Sequence, residues 1–336
     1  MAHLTTPEAE ALLDVNISVL DHGFVRMVDY MGNDKRIVQS ARVSYGDGTK
    51  SLREDEGLIN YLMKNLHTSP FEQVSLVFHI KLPLFVFAQL VRHRTAKLNS
   101  MSARYSVMAD EFYIPGADEL RGQSETNKQV GEGAVPTLAA EIAAATIKNH
   151  SEDSYALYED VLDRGLSREQ ARMVLPQNLY TQIYWKVDLH NLFHFLRLRL
   201  DWHAQQEIRV YGEALARCAQ AVAPMAYAAF EEHLLHAQRF SRQEMVALQM
   251  IMRHEPDDEV TAYLGQRAKD EFDKKLWSSP MIQLTDAQFK FIGICVASML
   301  VVNPEGTMVQ AVEAMSGDEI EDLFGPSKLH IFKDGN

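Results

Sequence analysis

VSLVFHIKLPLFVFAQLVRHRTAKLNSMSARY, from Val74 to Tyr105, carries two readings at once. In its first third Val74, Leu76, Phe78, Ile80 and Leu82 recur every second residue, with Ser75, His79 and Lys81 between them. That period of two predicts a strand with one buried face, and Pro83 closes it. His79 falls on the less apolar face and reads as structural. Leu84 to Arg92 predicts a short helix that delivers the next segment off the end of the strand. That segment, Gln89 to Tyr105, holds Arg92, His93, Arg94, Lys97 and Arg104, with Gln89, Thr95, Asn99, Ser100 and Ser102 among them. A basic island in a chain of net charge -13 calls for a local anion, and a phosphorylated ligand is the simplest. A solvated basic helix end is the competing reading.

Outside this stretch, composition sets bounds. A length of 336 residues allows one large domain or two ordinary ones, and 46% hydrophobic residues support a real core. The acidic balance argues against a broad surface for polymeric nucleic acid. Cys218 and Cys295 form neither a disulfide framework nor a zinc-type cluster. The N-terminus, MAHLTTPEAEALLD, lacks the apolar core of a secretory signal, and the run Phe291 to Val302 is too short to span a bilayer. A soluble cytoplasmic protein with no membrane partner is expected.

Along the chain, residues 1–20 predict a short helix and lead-in, and Val25 to Tyr30 and Arg36 to Tyr45 predict extended segments. Gly46 to Gly48 predicts a turn, and Asp55 to Leu66 has helical spacing. Pro70 makes HTSPFEQ a fixed turn. Phe112 to Pro115 predicts a short extended piece and 116–133 a surface loop or lid. Helices are expected at Val135 to Asn149, Ser154 to Arg164 and Arg168 to Leu175, the last with a Ser167–Gln170 capping box. Asp188 is placed to cap a helix starting at Leu189, on which Leu192, Phe195, Leu196 and Leu200 face the core. On that helix His190 and His194 share a face, as do Arg199 and His203. His203 to Ala223 continues as an amphipathic helix that buries Cys218. Past residue 233 helices are expected at Ser241 to Arg253, Asp258 to Leu276, Thr285 to Val302 and Thr307 to Met315, with no chemical motif. The domain reading is therefore a catalytic part over 1–233 and a helical extension of unassigned role over 234–336.

The residues narrow the chemistry. His190, His194 and His203 with Asp188 and Glu207 offer metal ligands, but Arg197 and Arg199 on the same helix oppose a cation, so no metal is expected. No GxSxG elbow, CxxC pair, P-loop or GxGxxG turn occurs. What remains is capture of a phosphorylated ligand by arginines, with a guanidinium free to stabilise charge on a heterocyclic carbonyl. This physics describes a nucleotide pocket and leaves the reaction open.

RHRTAKLNSMSARY at Arg92 to Tyr105 resembles the signature of the flavin-dependent thymidylate synthases: RHR, two residues, a small polar residue, one residue, Asn, two residues, Ser, one residue, Arg. Collinear similarity extends through ARVSYG at Ala41, HTSPFEQ at His67, and ARMVLPQNLYTQIYW with DLHNLFHFLRLRLDWHAQQEI between Ala171 and Ile208. The resemblance covers about 20–233. It implies an α/β domain of α+β type, with a central antiparallel or mixed sheet flanked by helices, and here a helical C-terminal extension. It also implies a homotetramer with shared active sites, FAD as cofactor, and NADPH and methylenetetrahydrofolate as co-substrates. The implied reaction is methylation of dUMP to dTMP without an attacking enzyme cysteine.

Carried over by residue, the resemblance gives Gln89, Arg92, Arg172 and the loop Ser100, Met101, Ser102, Ala103 and Arg104 to dUMP. Arg199 is the implied catalytic residue, polarising the pyrimidine. Ser69, Arg92, His93, Arg94, Asp188, Leu189, His190 and His194 are implied to contact FAD, and His67, Glu72, Asn99 and His203 match nearby pocket positions. Lys97 stands where the family has a small polar residue, and Ser100 where many members have glutamate, which makes this site more positive. Two other readings stay open: a related flavoenzyme modifying a different pyrimidine nucleotide or transferring a hydroxymethyl group, and a non-catalytic flavin or nucleotide-binding assembly. Product analysis with dUMP and dCMP separates them.

Overall fold

The computed structural model describes residues 4–43, 52–124 and 131–277. It divides the chain into two compact units, Met1–Ala237 and Gln238–Asn336. The first is built on a five-stranded antiparallel sheet of order β1-β2-β3-β7-β4. Its strands are β1 (Asn16–Val19), β2 (Gly23–Met31), β3 (Ser75–Pro83), β4 (Lys97–Ser100) and β7 (Tyr180–Asp188). The alternation seen in the sequence is realised in β3, where Leu76, Phe78, Ile80 and Leu82 are fully buried. Val25 and Met27 of β2 and Ile183, Trp185 and Val187 of β7 complete the same apolar face. Each aliphatic or Phe side chain hidden there stabilises the fold by roughly 1.5–3 kcal/mol. On the opposite face Tyr184 and Lys186 stay exposed, and the Tyr184 ring stacks on His79 at 4.8 Å.

Helices close over the apolar face: α2 (Asp34–Ala41), α3 (Leu52–Lys64), α7 (Leu189–Arg199), α8 (Gln206–Val222) and α9 (Pro224–Phe230). The Tyr211 hydroxyl of α8 donates to the Lys81 carbonyl at 2.7 Å and ties that helix to β3. Gly23 permits the approach, since a Cβ there would lie 2.1 Å from the same hydroxyl. The buried carboxylate of Asp34 accepts from the backbone N–H of Met225 and Ala226, both at 3.0 Å, and so caps α9. This unit also contains α1 (Pro7–Glu10) and α4 (Leu84–Leu90). In the second unit α10 (Arg242–Met252), α11 (Asp257–Leu264) and α12 (Gln266–Trp277) pack around Ala247, Val260 and Phe272.

Several expectations are corrected. Arg36 to Ala41 is helical rather than extended, because Asn33 caps α2 through Lys35 N–H at 3.1 Å and helical spacing buries Ile37 and Val38. Tyr45 and the Gly46 to Gly48 turn lie outside the described residues. The loop expected at 116–133 contains a two-stranded ribbon, β5 (Arg121–Gln123) with β6 (Gly131–Ala134). The two helices expected at Val135 to Arg164 are one, α5 (Thr137–Asp163). Ser151 does not break it: its hydroxyl donates to the Ile147 carbonyl at 2.8 Å and accepts from Asn178 at 2.9 Å. Ser167 makes no side-chain cap, and the helix it precedes is only α6 (Arg168–Ala171) followed by a 3-10 turn at Arg172–Val174. Asp258 to Leu276 is split at Gly265, which takes φ of 78°. The helices expected beyond Trp277, with Cys295, lie outside the described residues.

Candidate active site

Three groups of the sequence-selected residues gather around the ends of β3, β4 and β7. The first lies where α4 meets α7. The His93 N–H donates to the Leu90 carbonyl at 3.0 Å, which turns the chain sharply at the end of α4. The imidazole edge meets Phe195 at a ring separation of 4.7 Å, with His194 at 6.1 Å. Into this corner Arg199, the last residue of α7, donates its Nε–H to His93 Nε2 at 3.2 Å. Burial, then Arg199, then His194 push the His93 imidazole down to about 4, so it is neutral at physiological pH. His194 is also lowered, by burial and then by Arg197 and His190. Gln89 of α4 donates to Gln205, the residue before α8, at 2.6 Å. Among the described residues neither Arg92 nor Arg94 forms an ion pair, and both are exposed.

The second group surrounds the loop after β4. That short edge strand pairs with β7, setting Asn99 opposite Tyr184 and Ser100 opposite Ile183, and Met101 N–H extends the pairing to the Gln182 carbonyl at 2.8 Å. Met101 and Ala103 lean on a small apolar cluster that includes Met108, Phe112 and Tyr158. The Ser102 hydroxyl accepts from Arg104 N–H at 3.3 Å. Arg104 pairs with Glu169 at 3.1 Å, and Arg172 donates its Nε–H to the Glu169 carbonyl at 3.2 Å. Two guanidiniums distant in sequence thus share one residue, beside a serine hydroxyl and its backbone turn.

The third group is the 67–74 turn against the start of α7. Asp188 caps α7, accepting from the Asn191 N–H at 2.9 Å and the Asn191 side chain at 2.7 Å. Leu189 is buried and its N–H donates to the Val74 carbonyl at 2.8 Å. The turn bearing His67, Ser69 and Glu72 is thereby fixed beside Asp188 and His190. All three of those turn residues are exposed, and Tyr61 meets the His67 ring edge-on at 5.8 Å.

A family model described as "Thymidylate synthase complementing protein" matches residues 26–225. A flavin-dependent thymidylate synthase of Thermus thermophilus is 51% identical over 263 residues, covering 77% of this chain and 96% of that relative. The chain belongs to the flavin-dependent thymidylate synthase family. Another flavin-dependent thymidylate synthase, from Treponema denticola, is 50% identical over 71% of this chain and 91% of its own length. Among solved structures, a UMP/dUMP methylase from Streptomyces cacaoi bound with 5-Br dUMP aligns with a TM-score of 0.60 at 30% identity, covering 65% of this chain and 99% of that one.

For a flavin-dependent thymidylate synthase, one sequence expectation about the site needs correcting. His203 does not share a helical face with Arg199, because α7 ends at Arg199. Asp201 instead accepts from the His203 backbone at 2.8 Å and holds its imidazole at 2.7 Å, in an exposed turn with the Trp202 ring 3.5 Å from it. The structure adds Gln205 and Glu169, which the sequence does not single out. Gln205 carries no signal, since a glutamine two residues past His203 looks like helix surface. Glu169 is detectable only as an acidic residue three before Arg172. Among the described residues no group of three or more metal-ligating side chains is gathered.

Proposed function

We propose that the three groups divide one reaction among them. Ser102, Arg104 and Arg172 hold the nucleotide phosphate, Arg199 faces the pyrimidine, and the Arg92–Arg94 segment with Ser69, Asp188 and His190 holds the flavin. The activity is FAD-dependent conversion of dUMP to dTMP, with methylenetetrahydrofolate as one-carbon donor and NADPH as reductant. The observation that carries the assignment of roles is the placement of Arg199. Its Nε is committed to a neutral imidazole, so both Nη groups and the full charge stay available for a ring carbonyl.

The residues present fit FAD by their chemistry. A dinucleotide carries a diphosphate, and Arg92 and Arg94 are exposed guanidiniums with no acidic partner among the described residues. When bound, FAD supplies the hydride chemistry that turns the transferred carbon into a methyl group. The protein supplies orientation and electrostatics. Arg199 stabilises negative charge at the ring carbonyl while C5 of the pyrimidine is nucleophilic, which favours attack on the one-carbon unit. Arg104 and Arg172 fix the other end of the nucleotide, so the ring is presented in one register. No thiol is needed: Cys218 is buried in α8 and its pKa is pushed up to about 12 by that burial.

The proposed homotetramer with shared active sites finds support in the open rim of the phosphate group. Tyr105 and Met173, next in sequence to Arg104 and Arg172, are 78% and 75% exposed. Leu138 and Ile142 of α5, one helical turn apart, are exposed as well. No described helix is long and apolar enough to cross a membrane, and a cytoplasmic protein that binds no polymeric nucleic acid suits the net charge of -13. We assign the catalytic role to 1–233, which contains the whole stretch 26–225 matched by the family model, and leave the helical extension 234–336 without an assigned role. The test is product analysis: FAD-loaded protein given NADPH, methylenetetrahydrofolate and, in turn, dUMP, UMP and dCMP. Formation of dTMP from dUMP alone is expected. A hydroxymethylated product, preference for another nucleotide, or nucleotide binding without turnover overturns the assignment. Light scattering on the same sample reads the oligomer.

A further inference from the structure

Arginines that work in proteins are usually steered by carboxylates, as Glu169 steers Arg104 at 3.1 Å. Arg199 is steered otherwise. Among the described residues no carboxylate pairs with it, and its one side-chain partner is His93 Nε2, 3.2 Å from its Nε. A guanidinium has no acceptor, so the imidazole nitrogen must be the one carrying the lone pair, with its proton on Nδ1. The ring is held on several sides: by its own backbone bond to Leu90, by the Phe195 ring at 4.7 Å, and by His194 at 6.1 Å. It belongs to the turn that follows α4, while Arg199 belongs to α7.

We propose that His93 is a positioning residue for Arg199, a neutral anchor that fixes the guanidinium at the pyrimidine without neutralising its charge. The proposal rests on the assignment of Arg199 to the pyrimidine ring. A free arginine at a helix end samples many rotamers, and an anchor at Nε removes much of that freedom while leaving both Nη groups as a fork. A carboxylate would do the same but would weaken the field offered to a developing oxyanion. Burial, Arg199 and His194 all oppose protonation of His93, which keeps the lone pair in place. The anchor also ties Arg199 to the Arg92–Arg94 segment, so the ring-facing and flavin-facing groups keep a common register.

The experiment is a double-mutant cycle on the FAD-loaded protein, read as kcat/KM for dUMP and as the dUMP dissociation constant, with bound flavin measured by absorbance. His93→Leu lowers kcat/KM by roughly 10-fold. His93→Gln, whose amide oxygen can accept from Nε, recovers to within about 3-fold of the parent. His93→Glu also accepts but loses more than His93→Gln, because it compensates the guanidinium charge. In an Arg199→Ala background, His93→Leu changes either readout by less than about 2-fold. The proposal is overturned if His93→Leu costs as much in that background as in the parent, if His93→Gln is as poor as His93→Leu, or if His93→Glu equals His93→Gln. Flavin loss on His93→Leu that persists without Arg199 and accounts for the whole fall in kcat/KM also overturns it, since the imidazole would then act through the cofactor its segment holds and not through Arg199. An Arg199→Ala protein with parental activity points instead to failure of the pyrimidine assignment.

Discussion

Arg104 and Arg199, both assigned to the proposed site, are held in opposite ways. Arg104 sits at the surface, its side chain 53% exposed, and pairs with a Glu169 that is 60% exposed. Arg199 is half-buried, its pKa lowered by that burial, and leans on an uncharged imidazole. An exposed guanidinium can exchange its partner for a phosphate at little cost, because surface ion pairs are worth about 0–1 kcal/mol. A desolvated guanidinium with its charge uncompensated is held in readiness for charge that forms only during reaction. On the proposed assignment, the difference separates binding from chemistry. It predicts that substitutions on one side change KM and on the other change kcat.

The largest effect is expected from Arg199→Ala. Loss of one preorganised donor to a developing oxyanion costs about 10²–10³ in kcat, and flavin content should stay near the parental value. Steady-state kinetics with dUMP varied, alongside the flavin spectrum, checks it. A rise in KM with kcat intact would break the contrast, because Arg199 would then be another binding arginine. Next comes Arg172→Ala, expected to raise KM for dUMP by roughly 10- to 100-fold with kcat within about 2-fold, since a charged hydrogen bond to phosphate contributes about 1.5–3 kcal/mol. Added salt should weaken parental dUMP binding more than that of the variant. Glu169→Gln is smaller and opposite in sign. Removing the competitor for Arg104 should tighten dUMP binding by no more than about 5-fold at low ionic strength, and the gain should vanish in high salt. Isothermal titration at two salt concentrations decides it, and weaker binding would mean that Glu169 orients Arg104 more than it competes.

These two environments are not equally legible in the sequence. The strand β3 is legible, because five apolar residues fall at every second position, with Val77 the single apolar residue between them, and Pro83 marks the end. β7 is not: Ile183, Trp185 and Val187 alternate in the same way, but the exposed aromatic Tyr184 between them masks the period. The cap at Asp188 can be read, since an acidic residue before an apolar run needs only local chemistry. The end of α7 cannot, and so helical spacing puts His203 on the wrong face. α2 reads as extended because Ile37, Val38 and Val43 are β-branched, a weak preference that the Asn33 cap and core contact override. The motif residues can be selected one by one. Their pairing cannot, because His93 meets Arg199, and Arg104 meets Glu169, only after the sheet brings distant segments together.

The smallest expected effect probes the neutral anchor directly through stability. The ordinary histidine value is 6.5, and in the folded protein His93 lies near 4, lowered by burial and then by Arg199 and His194. Between those two values the unfolded chain binds a proton at this position that the folded chain refuses. The unfolding free energy therefore falls as pH falls. This contribution is fully present above about 6.5 and is lost progressively as pH drops toward 4. His194 is lowered in the same sense, so the parental slope contains both histidines. His93→Gln removes only one of them. Melting temperatures at pH 7 and pH 5 should drop more for the parent than for the variant, by up to about 3 °C. Equal drops would mean that His93 takes up its proton in the folded state, where it could no longer accept from Arg199. The guanidinium would then lack the uncharged partner that distinguishes it from Arg104.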